Sequence, residues 1–187
     1  MKNLLLIIIL ITLSALNHTT KAQFDYIGGG VALATGGEYN YNELEYFNSS
    51  FGFDLRLSYD YSKKLKIVPD FKFYMPKKEE FFSGGESKIT VFALNVNAHF
   101  ILNSKKRESY RLYLLAGAHV GGWKIKDTRV GISATLDVNE FKIVPGVNLG
   151  AGMQFEVSNR TKIFTEVKYV IASTNQLVFT PGILYNF

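Results

Sequence analysis

Apolar and polar residues alternate with a period of two along nearly the whole chain after residue 25. Between residues 50 and 61, for example, Phe53, Leu55 and Leu57 alternate with Asp54 and Arg56. This period is typical of β-strands whose two faces meet different surroundings, whereas an amphipathic helix repeats about every 3.6 residues. The pattern predicts eight strands, at residues 26–35, 50–61, 65–75, 90–102, 110–121, 142–157, 161–171 and 177–187.

The connections between the predicted strands alternate between long and short. Three long segments, residues 36–49, 76–88 and 122–141, are separated by the shorter "SKK", "NSKKRES" and "SNR", and the short last connection "ASTNQ" is the exception. Long loops at one end and tight turns at the other are typical of transmembrane barrels with an even number of antiparallel strands. We therefore predict an all-β fold, an eight-stranded antiparallel up-and-down transmembrane β-barrel with both termini in the periplasm.

The charged residues test the pairing of the second and third strands. If Ser62 to Lys64 form a three-residue turn, Asp60 faces Lys66, Arg56 faces Asp70 and Asp54 faces Lys72. One register thus gives three pairs of opposite charge, each of which stabilises a sheet by roughly 0.2–1 kcal/mol. The same reasoning across the "SNR" turn sets Glu156 opposite Lys162, Gly152 opposite Glu166 and Gly150 opposite Lys168, with the glycines leaving room for long charged side chains.

The charges lie at mid-strand on one face, and the other face is rich in Leu, Val, Phe and Ala. Complementary charges can satisfy one another inside a narrow lumen, while the apolar face suits lipid. We predict a lumen ion network of Asp54, Arg56, Asp60, Lys66, Asp70, Lys72, Arg111, Glu156, Lys162, Glu166 and Lys168. The alternative is a soluble lipocalin-like ligand binder, in which the apolar face points inward.

The N-terminus has the pattern of a secretory signal peptide. Lys2 is followed by an apolar run that ends at Leu13 and by a small residue at Ala22, so cleavage is expected before Gln23. The apolar run is shorter than the ~20 residues of a membrane-spanning helix. We predict a signal peptide at residues 1–22 and a barrel domain at residues 23–187. The net charge of +5 is too small to indicate a nucleic-acid partner.

The chain ends in "TPGILYNF", an alternating stretch with an aromatic last residue. Thr180, Gly182, Tyr185 and Phe187 resemble the C-terminal assembly signal of bacterial outer-membrane barrels. Together with the strand count, this motif makes the mature chain similar to the small eight-stranded outer-membrane family of OmpA-type, OmpX-type and opacity-type barrels. The resemblance implies the outer membrane of a Gram-negative bacterium and recognition by the barrel-assembly machinery.

The residues carry no recognisable catalytic, metal or cofactor motif. On the predicted register His99 faces Tyr113 and His119 faces Ala93, so the two histidines are too far apart for a shared metal. Neither histidine has the nearby serine that a lipid-modifying hydrolase needs. We expect a non-enzymatic barrel with a side-chain-filled lumen and a structural or adhesive role. Two alternative functions are a narrow channel for small solutes and a lipid-modifying enzyme. Expected partners are outer-membrane lipid and an extracellular partner contacting the loops at 36–49, 76–88 and 122–141, with the protein as a monomer.

Overall fold

The strands form one closed antiparallel barrel. The computed structural model describes residues 24–36, 40–41, 44–45, 49–80, 86–103, 109–130 and 135–186. Its strands are β1 (Tyr26–Gly36), β2 (Asn40–Tyr41), β3 (Leu44–Glu45), β4 (Ser49–Asp60), β5 (Leu65–Glu80), β6 (Glu86–Ile101), β7 (Tyr110–Val130), β8 (Thr135–Glu156), β9 (Thr161–Ala172) and β10 (Gln176–Asn186).

Eight of these strands close the barrel in the order β1-β10-β9-β8-β7-β6-β5-β4, and β4 returns to pair with β1. The pair β2 and β3 forms a separate two-stranded sheet in the first long loop. This arrangement confirms the predicted fold class of eight antiparallel strands. Within the described part of the chain, no helix is long and apolar enough to cross a membrane.

The register near both short turns is the one that the charges predict. Asp54, Arg56 and Asp60 lie opposite Lys72, Asp70 and Lys66 in turn. Across the other turn, the observed partners are Gly150 with Lys168, Gly152 with Glu166 and Glu156 with Lys162. Since a slip by one residue would turn every side chain to the other face, these pairs fix which side chains enter the lumen.

The register across the 103–109 connection differs from the predicted one by two residues. His99 lies opposite Leu115, and His119 lies opposite Asn95. The predicted partners, Tyr113 and Ala93, are therefore wrong, although the faces are kept. The Asn103 side chain holds the actual register, because the Leu112 N–H donates to its Oδ1 at 2.6 Å.

The barrel wall is apolar outside and polar inside over the half of the barrel nearest the chain termini. Leu55, Leu94 and Leu149 on the outer face are each at least half exposed, whereas the inward Asp54 and Asn148 are buried. An exposed apolar belt of this size requires a lipid surrounding.

Toward the opposite end, which we call the loop end, the alternation continues in β6 and β7 with its polarity reversed, whereas outward residues of β1, β9 and β10 such as Leu33, Tyr169 and Leu177 stay apolar. Trp123 and Ile125 point inward and are buried, while Lys124 and Lys126 point outward and are exposed. The inward side chains of neighbouring strands join them in an upper apolar cluster: Ala32, Ala34, Tyr74, Ile89, Val91, Trp123, Ile125, Val144, Val170 and Val178.

This reversal corrects the predicted loops at 76–88 and 122–141. The hairpin of β7 and β8 pairs without interruption to Val130 and Thr135, and β5 pairs with β6 as far as Glu80 and Glu86. A bulge between Tyr74 and Lys77 lets β5 continue past its last lipid-facing residue. The predicted signal peptide at 1–22, Phe187 and residues 81–85 and 131–134 lie outside the described residues.

Candidate functional site in the barrel lumen

Six of the predicted ion-network residues meet in the middle of the lumen, and we call them the central cluster. They are Asp54, Arg56, Asp70, Lys72, Glu166 and Lys168, and all are at most 4% exposed. Alternation places two of them on each of β4, β5 and β9, so that three walls of the barrel contribute. Burial of so many charges costs several kcal/mol per ion unless they are paired, and the pairing therefore decides whether the lumen is stable.

Arg56 joins two walls of the barrel. Its Nε donates to Asp54 Oδ2 at 2.6 Å on its own strand, and its Nη1 donates to Glu166 Oε2 at 3.0 Å on β9. Lys72 Nζ donates to Asp54 Oδ1, which completes the pairing of that carboxylate. The guanidinium also lies 4.0 Å above the centroid of the Phe164 ring, a favourable place for a desolvated cation.

Asp70 is the second anionic centre of the central cluster. It lies opposite Arg56 in the register but pairs with two lysines, at 3.4 Å from Lys72 Nζ and 3.7 Å from Lys168 Nζ. Its two oxygens also accept hydrogen bonds of 2.7 Å each from Asn95 and Asn97. Asp70 is thus held by two amide donors as well as by two lysines, and the charge pattern of the sequence does not indicate the amides.

An aromatic and amide layer surrounds the central cluster. Tyr113 donates to Glu166 Oε2 at 3.1 Å, and its ring stacks on His99 with 4.3 Å between centroids. On the other side His119 Nδ1 contacts Asn95 Oδ1 at 2.8 Å, and Asn148 donates to the same oxygen at 3.0 Å. The alternation of Asn and His with apolar residues in β6 placed these side chains in the lumen, but no spacing in the sequence signalled their mutual contacts.

The remaining five predicted network residues form a separate rim group near the chain termini. Lys66 pairs with Asp60 at 2.5 Å, and Glu156 accepts from Lys162 at 3.3 Å and from Arg111 at 3.5 Å. The Arg111 and Glu156 side chains are more than a third exposed, so water screens their attraction. The predicted network therefore consists of two groups, of which the inner one is fully buried in the lumen.

Glycines make room for the larger lumen side chains. A Cβ at Gly152 would lie 2.4 Å from the ring and hydroxyl of Tyr113, and a Cβ at Gly182 would lie 2.5 Å from the Phe164 ring. We predicted that Gly152 would leave room for Glu166, its partner in the register. The space is instead filled by Tyr113, which reaches across from β7.

Several buried polar atoms of the lumen have no hydrogen-bond partner among the described residues. They include Arg56 Nη2, Glu166 Oε1, Lys168 Nζ and both ring nitrogens of His99. Buried polar atoms are seldom left without a partner, and ordered water commonly supplies it. The lumen around the central cluster is therefore a place where we expect isolated water molecules.

The residues of the predicted assembly signal lie on both faces of β10. Thr180 faces the lumen, with its Oγ1 3.5 Å from Lys72 Nζ, and Gly182 lies beneath the Phe164 ring. Tyr185 points outward and is 47% exposed, whereas Phe187 is outside the described residues. Recognition of this segment by the assembly machinery stays a prediction.

The carboxylates of the lumen are engaged by cations and amide groups. Within the described residues, no group of three or more His, Cys, Asp and Glu side chains could hold a metal ion. Each central carboxylate already accepts from at least one cation or amide. Such groups can fix the walls of the barrel relative to one another.

Comparison with known proteins places this geometry among outer-membrane barrels. The family model described as "Outer membrane protein beta-barrel domain" matches residues 4–187. No curated protein matches the chain significantly.

Solved structures with the same fold come from several bacteria. The Ail attachment invasion locus protein of Yersinia pestis, crystallised with the heparin analogue sucrose octasulfate, has 19% identity over 88% of this chain and 100% of its own, with a TM-score of 0.60. OprG of Pseudomonas aeruginosa has 11% identity over 89% and 97% of the two chains, with a TM-score of 0.59. Neisserial surface protein A has 15% identity over 87% and 96%, with a TM-score of 0.56.

Proposed function

Because the chain belongs to the outer membrane protein beta-barrel domain family, we propose that it is a non-enzymatic barrel that does not conduct and that presents an interaction surface outside the cell. It is an outer-membrane protein, and the proposal concerns what its lumen and its strand ends do. The terminal end of the barrel lies in the periplasm, and the loop end lies outside.

The main support for a closed lumen is the chain of hydrogen bonds from Asp54 through Arg56 to Glu166. It runs from β4 to β9, and each of its side chains is at most 4% exposed. A barrel of eight strands has an interior just wide enough for side chains to fill. A solute or hydrated ion would have to break these charge-assisted hydrogen bonds, which are the strong kind.

The upper apolar cluster forms a second barrier nearer the loop end. Trp123 is 1% exposed and Tyr74 is 2% exposed, and both belong to the same packed group of apolar side chains. An apolar constriction resists the passage of ions because they would lose their water there. The lumen is therefore closed by two different kinds of contact in series.

The length of the hairpin formed by β7 and β8 supports a role outside the membrane. β7 has 21 residues and β8 has 22, whereas about 9–11 residues suffice to cross a bilayer. The paired strands therefore carry the sheet well beyond the lipid and hold the connecting loops away from it. A rigid support of this kind suits a structural or adhesive role.

The lumen chemistry supports the absence of a lipid-modifying activity. His99 stacks on Tyr113 inside the barrel, and its Nε2 lies 3.6 Å from Glu166 Oε2 rather than beside a serine. The acyl chains of membrane lipids lie on the other side of the wall. Mass spectra of lipid A and phospholipids from cells with and without the protein test this point. Unchanged spectra are expected, and a modified lipid that depends on the protein would show an enzyme.

Single-channel recording tests the closed lumen. The purified full-length chain is reconstituted in a planar bilayer, and its insertion is verified by a band that migrates differently on a denaturing gel with and without boiling. We expect no steady conductance steps from the inserted protein. Uniform steps that scale with salt concentration would instead establish the narrow channel.

A shortened hairpin tests the interaction surface. A variant that lacks residues 127–138 and joins Lys126 to Asn139 by a two-residue turn should keep the heat-dependent migration, because Lys126 and Asn139 are paired beyond the apolar belt. Cells with the full or the shortened protein are compared for aggregation and for adhesion to protein-coated and glycan-coated surfaces. Lower adhesion of the shortened form is expected, and equal adhesion would leave a purely structural role.

A further inference from the structure

Three lysines and a threonine form a pocket on the outside of the barrel, and we call it the outer pocket. It is lined by Lys88, Thr90, Lys124 and Lys126 and has a volume of about 140 Å³. Lys88 lies directly opposite Lys126, and Thr90 lies directly opposite Lys124. Because outward residues of paired strands stand side by side, the three ammonium groups share one small surface.

Like charges that face each other across a sheet are destabilising. Among the acidic residues whose side chains the structure describes, none forms an ion pair with Lys88, Lys124 or Lys126. Glu86, on the same outer face, forms an ion pair with Lys78, with 3.1 Å between its Oε1 and the lysine Nζ. Further toward the loop end, Asp137 follows in β8 opposite Thr128. The outer pocket therefore has a local excess of positive charge that an anion would relieve.

The outer pocket sits at the boundary of the apolar belt. Phe92 lies one step nearer the membrane centre on the outer face, and its ring stacks on that of Phe141, the partner of Lys124 in β8, with 5.9 Å between centroids. The Phe92 ring lies over Gly122, where a Cβ would be only 2.2 Å from it. Aromatic residues mark the level of lipid headgroups in membrane barrels, so the lysines lie where lipid phosphates are found.

A separate apolar groove crosses the outer wall from β1 and β4 through β5 to β6 and β7, and its edge on β6 and β7 lies below the outer pocket. It has a volume of about 570 Å³ on the outer wall, and its lining includes Pro69, Leu94, Val96, Ala118 and Val120. Thr90 and Leu94 are four residues apart in β6, which corresponds to about 13 Å along a strand. The groove is thus within reach of an acyl chain whose headgroup occupies the outer pocket.

We propose that the outer wall of β6 and β7 binds one lipid of the outer leaflet that carries a phosphate group. The phosphate lies in the outer pocket, where the three ammonium groups and the Thr90 hydroxyl donate to its oxygens. One acyl chain passes the stacked rings and lies in the groove beside Ala118. Charge-assisted donors favour the phosphate over a zwitterionic headgroup, and the groove favours a membrane lipid over a soluble anion. The proposal rests on the proposed orientation, in which the loop end lies outside the cell, but it does not depend on a closed lumen or on adhesion.

Native mass spectrometry of the full-length protein released from detergent tests the headgroup site. The probes are phosphatidic acid and phosphatidylcholine with identical acyl chains. We expect the protein to retain one phosphatidic acid in clear preference. Replacement of Lys88, Lys124 and Lys126 by Gln should reduce that preference by about fivefold for each lysine removed. The matched control replaces Lys63, Lys64 and Arg160, which are exposed at the terminal end, and should keep the preference. Equal retention of both lipids, or an equal loss in the control, would overturn the proposal.

The groove is tested by filling it. Ala118→Phe should lower the retention of phosphatidic acid, whereas Ala151→Phe, on the outward face of β8 and outside the groove, should not. Addition of inorganic phosphate distinguishes the two sources of the anion. If phosphate at the same concentration displaces the lipid fully and Ala118→Phe has no effect, the outer pocket takes a free anion and the lipid site is refuted. All variants are first checked for heat-dependent migration.

Discussion

His99 and Tyr113 stack face to face in the lumen with only 9° between their ring planes, although the register places Leu115, not Tyr113, opposite His99. The contact is diagonal and depends on the bare backbone of Gly152, over which the Tyr113 ring lies. The Tyr113 hydroxyl then reaches Glu166 at 3.1 Å. The stack thereby connects β6 and β7 to the central cluster on the far wall.

A side chain at Gly152 should displace this tyrosine. In Gly152→Val the new Cβ would lie 2.4 Å from the Tyr113 hydroxyl and 2.7 Å from the Thr165 carbonyl oxygen, which is backbone and cannot move away. We expect a loss of about 1–3 kcal/mol in the free energy of unfolding. Urea titration in lipid vesicles measures it. Ala151→Val, one residue away on the lipid face, is the control, and an equal loss in both would show that the tyrosine is not involved.

Loss of the bridging guanidinium should be among the most damaging changes in the lumen. Arg56→Met leaves the buried Glu166 without its closest cation, and breaking a buried pair in this way costs about 3–5 kcal/mol. Glu166→Gln in the same chain removes the unpaired charge and should restore part of the stability. If the double variant is no more stable than Arg56→Met in urea titration, the ion pair is not the cause.

The rim group provides the contrast to that experiment. Arg111 pairs with Glu156 at 3.5 Å through side chains that are more than a third exposed. Arg111→Gln should therefore change the free energy of unfolding by no more than about 1 kcal/mol. A loss as large as that of Arg56→Met would mean that the rim is as tightly coupled as the centre.

Trp123 gives a direct optical test of the upper apolar cluster. It is the single tryptophan of the chain and is 1% exposed. The folded protein in vesicles should emit at short wavelength and resist quenching by acrylamide, and unfolding in urea should reverse both properties. Strong quenching of the folded barrel would show that water enters the lumen from the loop end.

The terminal aromatic residues should matter for assembly in cells more than for the fold itself. Tyr185 is 47% exposed on the outer face of β10, and Tyr169 is 44% exposed on the same face of β9. Tyr185→Ala should lower the amount of assembled barrel in the outer membrane, while refolding of the purified chain in detergent stays unchanged. Tyr169→Ala serves as the control. If both variants assemble equally well, the terminal motif is not read during assembly.

The sequence was informative wherever a short turn and a period of two acted together. Three residues between Tyr61 and Leu65 leave little choice of register, and the charge pairs of Asp54 and Asp60 agree with it. Across the longer 103–109 connection no such constraint exists. There the side chain of Asn103 decides the register, and a single side-chain cap cannot be inferred from alternation.

The full length of β7 could not be predicted from the sequence for a different reason. The stretch "WKIK" at 123–126 alternates as regularly as any strand, but its apolar residues point inward. A search for lipid-facing apolar residues therefore ends near Gly122. Contacts across the barrel, such as Tyr113 with Glu166, were equally hidden, because they join residues that neither neighbour in sequence nor pair in the sheet.

The reversal of polarity along β6 and β7 has a mechanical meaning. From Phe92 toward the chain termini, the outward side chains of the wall are apolar and the inward ones are polar. From Phe92 toward the loop end, the outward side chains are polar and the inward ones are apolar, as in a soluble protein. Movement of the barrel by one residue pair outward would put Phe92 into water, and movement inward would put Lys124 into hydrocarbon, which is expensive in either direction. The order of side chains along β6 and β7 therefore sets the depth at which this part of the barrel sits in the membrane, and with it the distance between the lipid and the end of the β7 and β8 hairpin.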